Sequence, residues 1–126
     1  MAHGSTIEIG AVRKGLPADK INRIAQLLGV ERPFLSRILG VSERTIQRKR
    51  THQTHLSPAA SDRLSRVERI YTLAADVFGS SPKAAEWLKR PSRALANELP
   101  LELLDTDAGA QQVERELRQI QHGFVY

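Results

Sequence analysis

Cysteine is absent from all 126 residues. That absence excludes a disulfide scaffold and a thiol nucleophile, and it suits a reducing cytoplasm. Long apolar runs are missing too. No stretch approaches the roughly 20 residues needed to span a bilayer, and no signal-like apolar segment precedes Thr6. The expectation is a cytoplasmic protein with no membrane partner. Strand-type alternation of apolar and polar residues is absent, so no strand exists for a Gly-rich phosphate loop to follow. There is no fixed-period repeat and no low-complexity tract. The residues that hydrolytic chemistry would need sit where helices start: Ser57, Ser61 and Asp62 at one, Asp105 and Asp107 at another. Those are capping positions. No enzymatic activity and no cofactor are expected. His52 and His55 stand three residues apart in a polar linker, THQTHLS, that offers no Asp, Glu or Cys to complete a metal site.

Charge is present and unevenly placed. The net +5 divides into +7 over residues 1–66 and −2 over residues 67–126. A basic half joined to a mildly acidic half suits a polyanion for the first and a different partner for the second. Uneven solvated surface would produce the same split.

Helical periodicity runs through the chain. A first helix is expected from Pro17, with Ile21, Ile24, Ala25 and Leu28 on one face and Gly29 at its end. A second starts near Pro33 and carries Phe34, Leu35, Ile38 and Leu39 up to Gly40. Ser42 is a good N-cap for a third that reaches about Lys49. The spacing across Gly40 is that of a helix-turn-helix, in which a tight turn sets the second helix across the first. With Val41 and Ile46 inward, the outer face carries Glu43, Arg44, Gln47 and Arg48, beside Lys49 and Arg50 and preceded by Ser42. Arg forks onto guanine, Gln onto adenine, and flanking cations reach phosphates, so this face suits the major groove of an operator. A helix-turn-helix kept only for dimerisation has the same local pattern.

Ser57-Pro58 then opens a long helix. Ala60, Leu64, Val67, Tyr71, Ala74 and Phe78 step by alternating fours and threes, a seam for another helix. Ile70, Leu73 and Val77 add a second stripe. A helix apolar on two sides must touch two things. One is its own C-terminal domain; the other is the helix-turn-helix or a second copy, which makes Leu64, Val67, Ile70, Tyr71, Leu73 and Val77 the candidate dimerisation residues. Gly79 ends it. Ser81-Pro82 starts a short helix with Ala84, Ala85, Trp87 and Leu88, and Pro91 breaks it. Short turns are expected around Ala94-Leu95 and from Pro100. Thr106 caps a final helix with Ala110, Val113, Leu117 and Ile120 on one face and a Glu114–Arg118 pair on the other. The crowded short helices predict little room for a ligand pocket of about 300 Å³ or more.

The C-terminal segment closely resembles the toxin-binding domain of Xre/ParS/MbcA antitoxins. The matching elements are Phe78-Gly79, Ala85, Trp87-Leu88, Pro91, Ala94-Leu95, Pro100-Leu101, Leu104-Asp105-Thr106, Gly109-Ala110, Val113 and Gly123. The segment LGVS…TIQR is similar to the Xre-type helix-turn-helix of phage-repressor-like proteins. Together the two resemblances cover about nine-tenths of the chain. One departure is visible: many members carry Gly-Gly before the proline, where this chain has Ala96-Asn97-Glu98.

The resemblance implies an all-α fold: residues 1–12 a flexible start, 13–56 the helix-turn-helix bundle, and 57–126 a long connecting helix with a small helical toxin-binding domain. It implies an antitoxin that forms a homodimer, binds its own operator DNA, and docks over the active-site cleft of a RES-domain toxin that consumes NAD. Carried onto this chain, the toxin-facing residues would be Trp87, Arg115, Arg118, Gln119 and His122, with the tail Phe124, Val125 and Tyr126. A repressor without a toxin, or a protein-only adaptor with a vestigial helix-turn-helix, are the competing readings.

Overall fold

A computed structural model describes residues 9–123. Among these the architecture is all-α: α1 (Ile9–Lys14), α2 (Lys20–Leu28), α3 (Arg32–Leu39), α4 (Glu43–Thr51), α5 (Pro58–Phe78), α6 (Ser81–Leu88) and α7 (Asp107–Gln121). Short 3₁₀ turns at Arg93–Leu95 and Pro100–Asp105 lie between α6 and α7.

The helix ends follow local chemistry. Ser42, Ser57, Ser80 and Thr106 each accept a hydrogen bond at their side-chain oxygen from a first-turn N–H, satisfying a donor the helix itself leaves free. The sixth helix is thus capped by Ser80, one residue ahead of the expected start. Gly29, Gly40 and Gly79 close α2, α3 and α5 in the left-handed conformation. The first expected helix begins later than Pro17, because the Leu56 N–H donates to the Leu16 carbonyl and the Leu16 N–H to Ser61 Oγ, both at 2.8 Å. Those long-range bonds tie residues 15–17 to the start of α5. Ahead of them, Ile9–Lys14 form a helical turn and a half with no buried residue, where residues up to 12 were expected to be a flexible start.

The core is one cluster built around α5. Leu64, Val67, Ile70 and Ala74 are buried in it with Ile21, Ile24 and Leu28 from α2, Leu35 and Leu39 from α3, Leu88 from α6, Leu101 and Leu104 from the second 3₁₀ turn, and Val113 and Leu117 from α7. Side chains from α5 and from the end of α6 also finish α3 and α2. Arg63 Nη1 donates to the Leu39 carbonyl at 3.1 Å and Lys89 Nζ to the Gly29 carbonyl at 3.3 Å, each placing a cation at the negative end of a helix. Lys20 pairs with Glu68 at 3.4 Å, and Arg66 reaches the Leu104 carbonyl at 3.1 Å.

This packing corrects the reading of α5 as a dimerisation seam. Leu64, Val67, Ile70 and Tyr71 are buried by the chain itself, under α2, α6 and α7; they are core residues and offer no free surface. Leu73 and Val77 are only partly buried and remain available.

Candidate functional surfaces

The first surface is built by α3, the Gly40 turn and α4. Gly40 has φ 70°, and its N–H bonds back to the Arg37 carbonyl, so the chain reverses within residues 40–42. Ser42 Oγ accepts from the Thr45 N–H at 3.0 Å, which starts α4 at a defined angle. Ile46 is fully buried and anchors α4 to the core. One helical face therefore points away, and Arg44, Gln47 and Arg48 are exposed on it.

The other candidate DNA contacts have partners within the chain. Glu43 Oε1 accepts from Arg32 Nε at 2.9 Å. Lys49 Nζ donates to the His55 carbonyl at 2.9 Å, and Arg50 Nε to Asp19 Oδ1 at 3.1 Å. Ser42 is occupied as a cap. These four fix the base and end of α4, leaving Arg44, Gln47 and Arg48 as the face that can read a groove. Sequence alone had no means of finding Arg32 and Asp19, because they come from preceding helices and turns.

The second surface lies on the C-terminal half. Trp87 is partly buried and packs on Phe78 with ring centroids 5.8 Å apart, tilted by 45°; it seals the α5–α6 contact. Arg115 and Gln119 line a groove of about 460 Å³ with Ala96, Glu98 and Leu103. Arg118 is drawn elsewhere: it pairs with Glu114 at 3.8 Å and bonds Gln121 at 3.2 Å, while Glu114 also holds Arg69 of α5 at 2.7 Å. His122 is exposed and caps α7. Phe124, Val125 and Tyr126 lie outside the described residues. The Arg115–Gln119 groove and one of about 720 Å³ are open surface troughs between short helices and enclose no ligand-sized cavity, in keeping with the expectation of little room for a pocket.

The departure from Gly-Gly lies at the edge of the 460 Å³ groove, where Ala96 and Glu98 are exposed and line it. Ala96 has φ 59° and Asn97 φ 64°, so both residues hold the left-handed conformation that glycine adopts freely and a Cβ resists. Hydrogen bonds enforce it: the Asn97 N–H donates to the Ser92 carbonyl at 2.7 Å and the Ser92 N–H to the Glu98 carbonyl at 3.0 Å. Asn97 tolerates this conformation, so the strain falls on Ala96. Ala96→Gly is expected to relieve that strain, offset in part by glycine's greater chain entropy, for a net gain of about 0.5–1 kcal/mol. A thermal melt checks it; a lower melting temperature would show that Ala96 is unstrained.

Comparison with known proteins matches both segments of the chain. Residues 8–69 match the antitoxin Xre-like helix-turn-helix domain, and residues 73–123 match the antitoxin Xre/MbcA/ParS C-terminal toxin-binding domain. The two segments meet inside α5. An antitoxin Xre of Yersinia enterocolitica is 29% identical over 123 residues, covering 97% of this chain and 83% of that protein. An antitoxin Xre of Photorhabdus laumondii is 32% identical over 115 residues, covering 90% of this chain and 78% of that one. A Prs ADP-ribosylating antitoxin of a Sphingobium species is 28% identical over 124 residues, covering 91% and 78%. Both matched domains are non-catalytic. With both domain models matched in order and relatives named as antitoxins matched over most of its length, the chain belongs to the Xre/MbcA/ParS family of antitoxins.

Proposed function

We propose that this antitoxin neutralises a RES-type, NAD-consuming toxin through its C-terminal domain, and represses its own operon as a cytoplasmic homodimer bound to operator DNA. The observation that carries the toxin reading is the match of residues 73–123 to the toxin-binding domain. The Sphingobium relative's name points to ADP-ribosylation, chemistry that draws ADP-ribose from NAD. Arg115 and Gln119, beside the strained Ala96–Asn97 turn, are the contact residues the geometry supports best, and Arg and aromatic anchors are what binding hot spots favour. Leu73 and Val77, only partly buried, are the dimer candidates that remain.

Co-expression with the toxin gene beside it tests the reading. Growth and cellular NAD should both be preserved by the unmodified chain and lost with the double substitution of Arg115 and Gln119 by alanine. Growth arrest with the double variant and no fall in NAD would exclude the NAD-consuming chemistry, and absence of protection by the unmodified chain would leave only repression.

The DNA reading is supported by Arg44, Gln47 and Arg48 facing solvent from a helix anchored by Ile46. A dimer should occupy an inverted repeat with half-sites one turn apart, about 34–36 Å. Arg44→Ala and Arg48→Ala should each weaken the specific site by about 1–3 kcal/mol, measured by gel shift on the native promoter. Equal losses on random DNA would reduce both to phosphate contacts.

A further inference from the structure

Arg63 of α5 is a half-buried cation that pairs with no carboxylate among the described residues. Its Nη1 donates instead to the Leu39 carbonyl at 3.1 Å, at the end of α3. The last carbonyls of a helix have no partner within it. Here those of Ser36 and Arg37 accept from the Val41 and Gly40 N–H groups at 3.1 and 3.2 Å, and Arg63 takes that of Leu39. The same guanidinium lies against Gly40: a Cβ added there would stand 2.6 Å from Nη1 and 3.7 Å from Cζ. One side chain of α5 thus both bonds the turn between α3 and α4 and packs on it, with its charge at the negative end of α3.

The other anchors of α4 leave its tilt open. Ile46 is the one buried residue of this helix, and a single side chain sets a helix's depth without setting its angle. At the far end the Arg50–Asp19 pair has side chains 32% and 74% exposed, and such a pair contributes little. At the near end Glu43 is held by Arg32, which belongs to α3 itself. The angle of α4 therefore depends on how rigidly residues 39–42 are held against α5. We propose that Arg63 is a positioning residue for DNA reading: it locks the α3–α4 turn onto α5, and so sets the angle at which Arg44, Gln47 and Arg48 meet the groove. The inference rests on the operator reading above.

The test is gel-shift titration of the native promoter and of random DNA with Arg63→Met and Arg63→Lys, alongside thermal melts, toxin co-expression and amide exchange. Methionine keeps an apolar stem and loses the donor and the charge. It should weaken operator binding about tenfold, the scale of one lost base contact, and random DNA far less, with an unchanged salt slope. Lysine keeps a cation and a donor for the Leu39 carbonyl, and should bind within about threefold of the unmodified chain. The Val41, Thr45 and Ile46 amides, bonded at 3.1, 3.0 and 3.0 Å, should exchange about tenfold faster in Arg63→Met while those of α7 hold. The melting temperature should fall by about 5 °C or less, and toxin protection should persist. Unchanged operator affinity in Arg63→Met overturns the proposal. An equal loss on random DNA, with the salt slope lowered by about one, makes Arg63 a phosphate contact and also overturns it. Loss of toxin protection with a larger fall in melting temperature assigns Arg63 to the core and does the same. If the unmodified chain does not retain the promoter, the operator reading fails, and amide exchange decides the turn by itself: unchanged rates at Val41, Thr45 and Ile46 overturn the tie as well.

Discussion

Replacing Leu64 by alanine is expected to lower the unfolding free energy by about 2–5 kcal/mol and to shift both halves of the protein together. Leu64 is fully buried on the first half of α5, in a core that continues without a break through α2, α3, α6 and α7. The cavity left by three missing carbons cannot collapse without moving helices that carry either functional surface. Such a loss is a large share of the roughly 5–15 kcal/mol that stabilises a domain of this size. Trp87 is the only tryptophan, and it sits in the C-terminal half against Phe78. Its fluorescence therefore reports on a region distant in sequence from the substitution, while far-UV circular dichroism reports on every helix. In urea the two signals should move to the same lower midpoint, as one cooperative unit requires. A tryptophan transition left at its original midpoint would show that the halves unfold separately and that the continuous core is not energetically shared.

Gly109→Ala is the second large effect. Gly109 lies in the first turn of α7, where an added Cβ would strike the backbone carbonyl of Leu103 and crowd Thr106 Oγ1 at 3.1 Å. A carbonyl cannot swing aside as a flexible side chain can. Relief requires moving α7 off the Pro100–Asp105 turn, and overpacking of this kind costs about 1–3 kcal/mol. The displacement would also disturb the groove that Arg115 and Gln119 line, so toxin protection should fall with stability. Gly10→Ala is the control: no atom lies within 4 Å of its added Cβ, in the exposed helix α1. There alanine's better helix propensity should be neutral or favourable by up to about 1 kcal/mol. Equal melting temperatures for the two variants would show that the α7–turn contact is looser than the geometry implies.

From Arg32 onward, the helix starts and stops, the turn at Gly40, the long helix and the broken C-terminal pieces were legible from residue order, as was the family. Those features rest on neighbours within one or two turns. A serine or threonine cap bonds an N–H three residues on, as Ser42, Ser57 and Thr106 do. A glycine ends a helix by its own left-handed conformation. The inward stripe of α7 is set by a spacing of three and four, and Val113 and Leu117 are buried as that stripe requires.

What the tertiary structure alone decided are the choices between partners that residue order leaves equivalent. Two apolar stripes on α5 fit a second copy or the chain's own helices equally well in sequence; the actual neighbours, from α2, α6 and α7, bury Leu64, Val67 and Tyr71 of the first and Ile70 of the second, and leave Leu73 and Val77 partly buried. Six polar residues at α4 have the composition of a DNA-reading face, yet Glu43, Lys49 and Arg50 are held by Arg32, His55 and Asp19. The left-handed backbone at Ala96 runs against that residue's preference and is imposed by the bonds that join Ser92 to Asn97 and Glu98. In each case the deciding energy comes from a group whose position depends on the packing of other elements, which periodicity and capping rules do not carry.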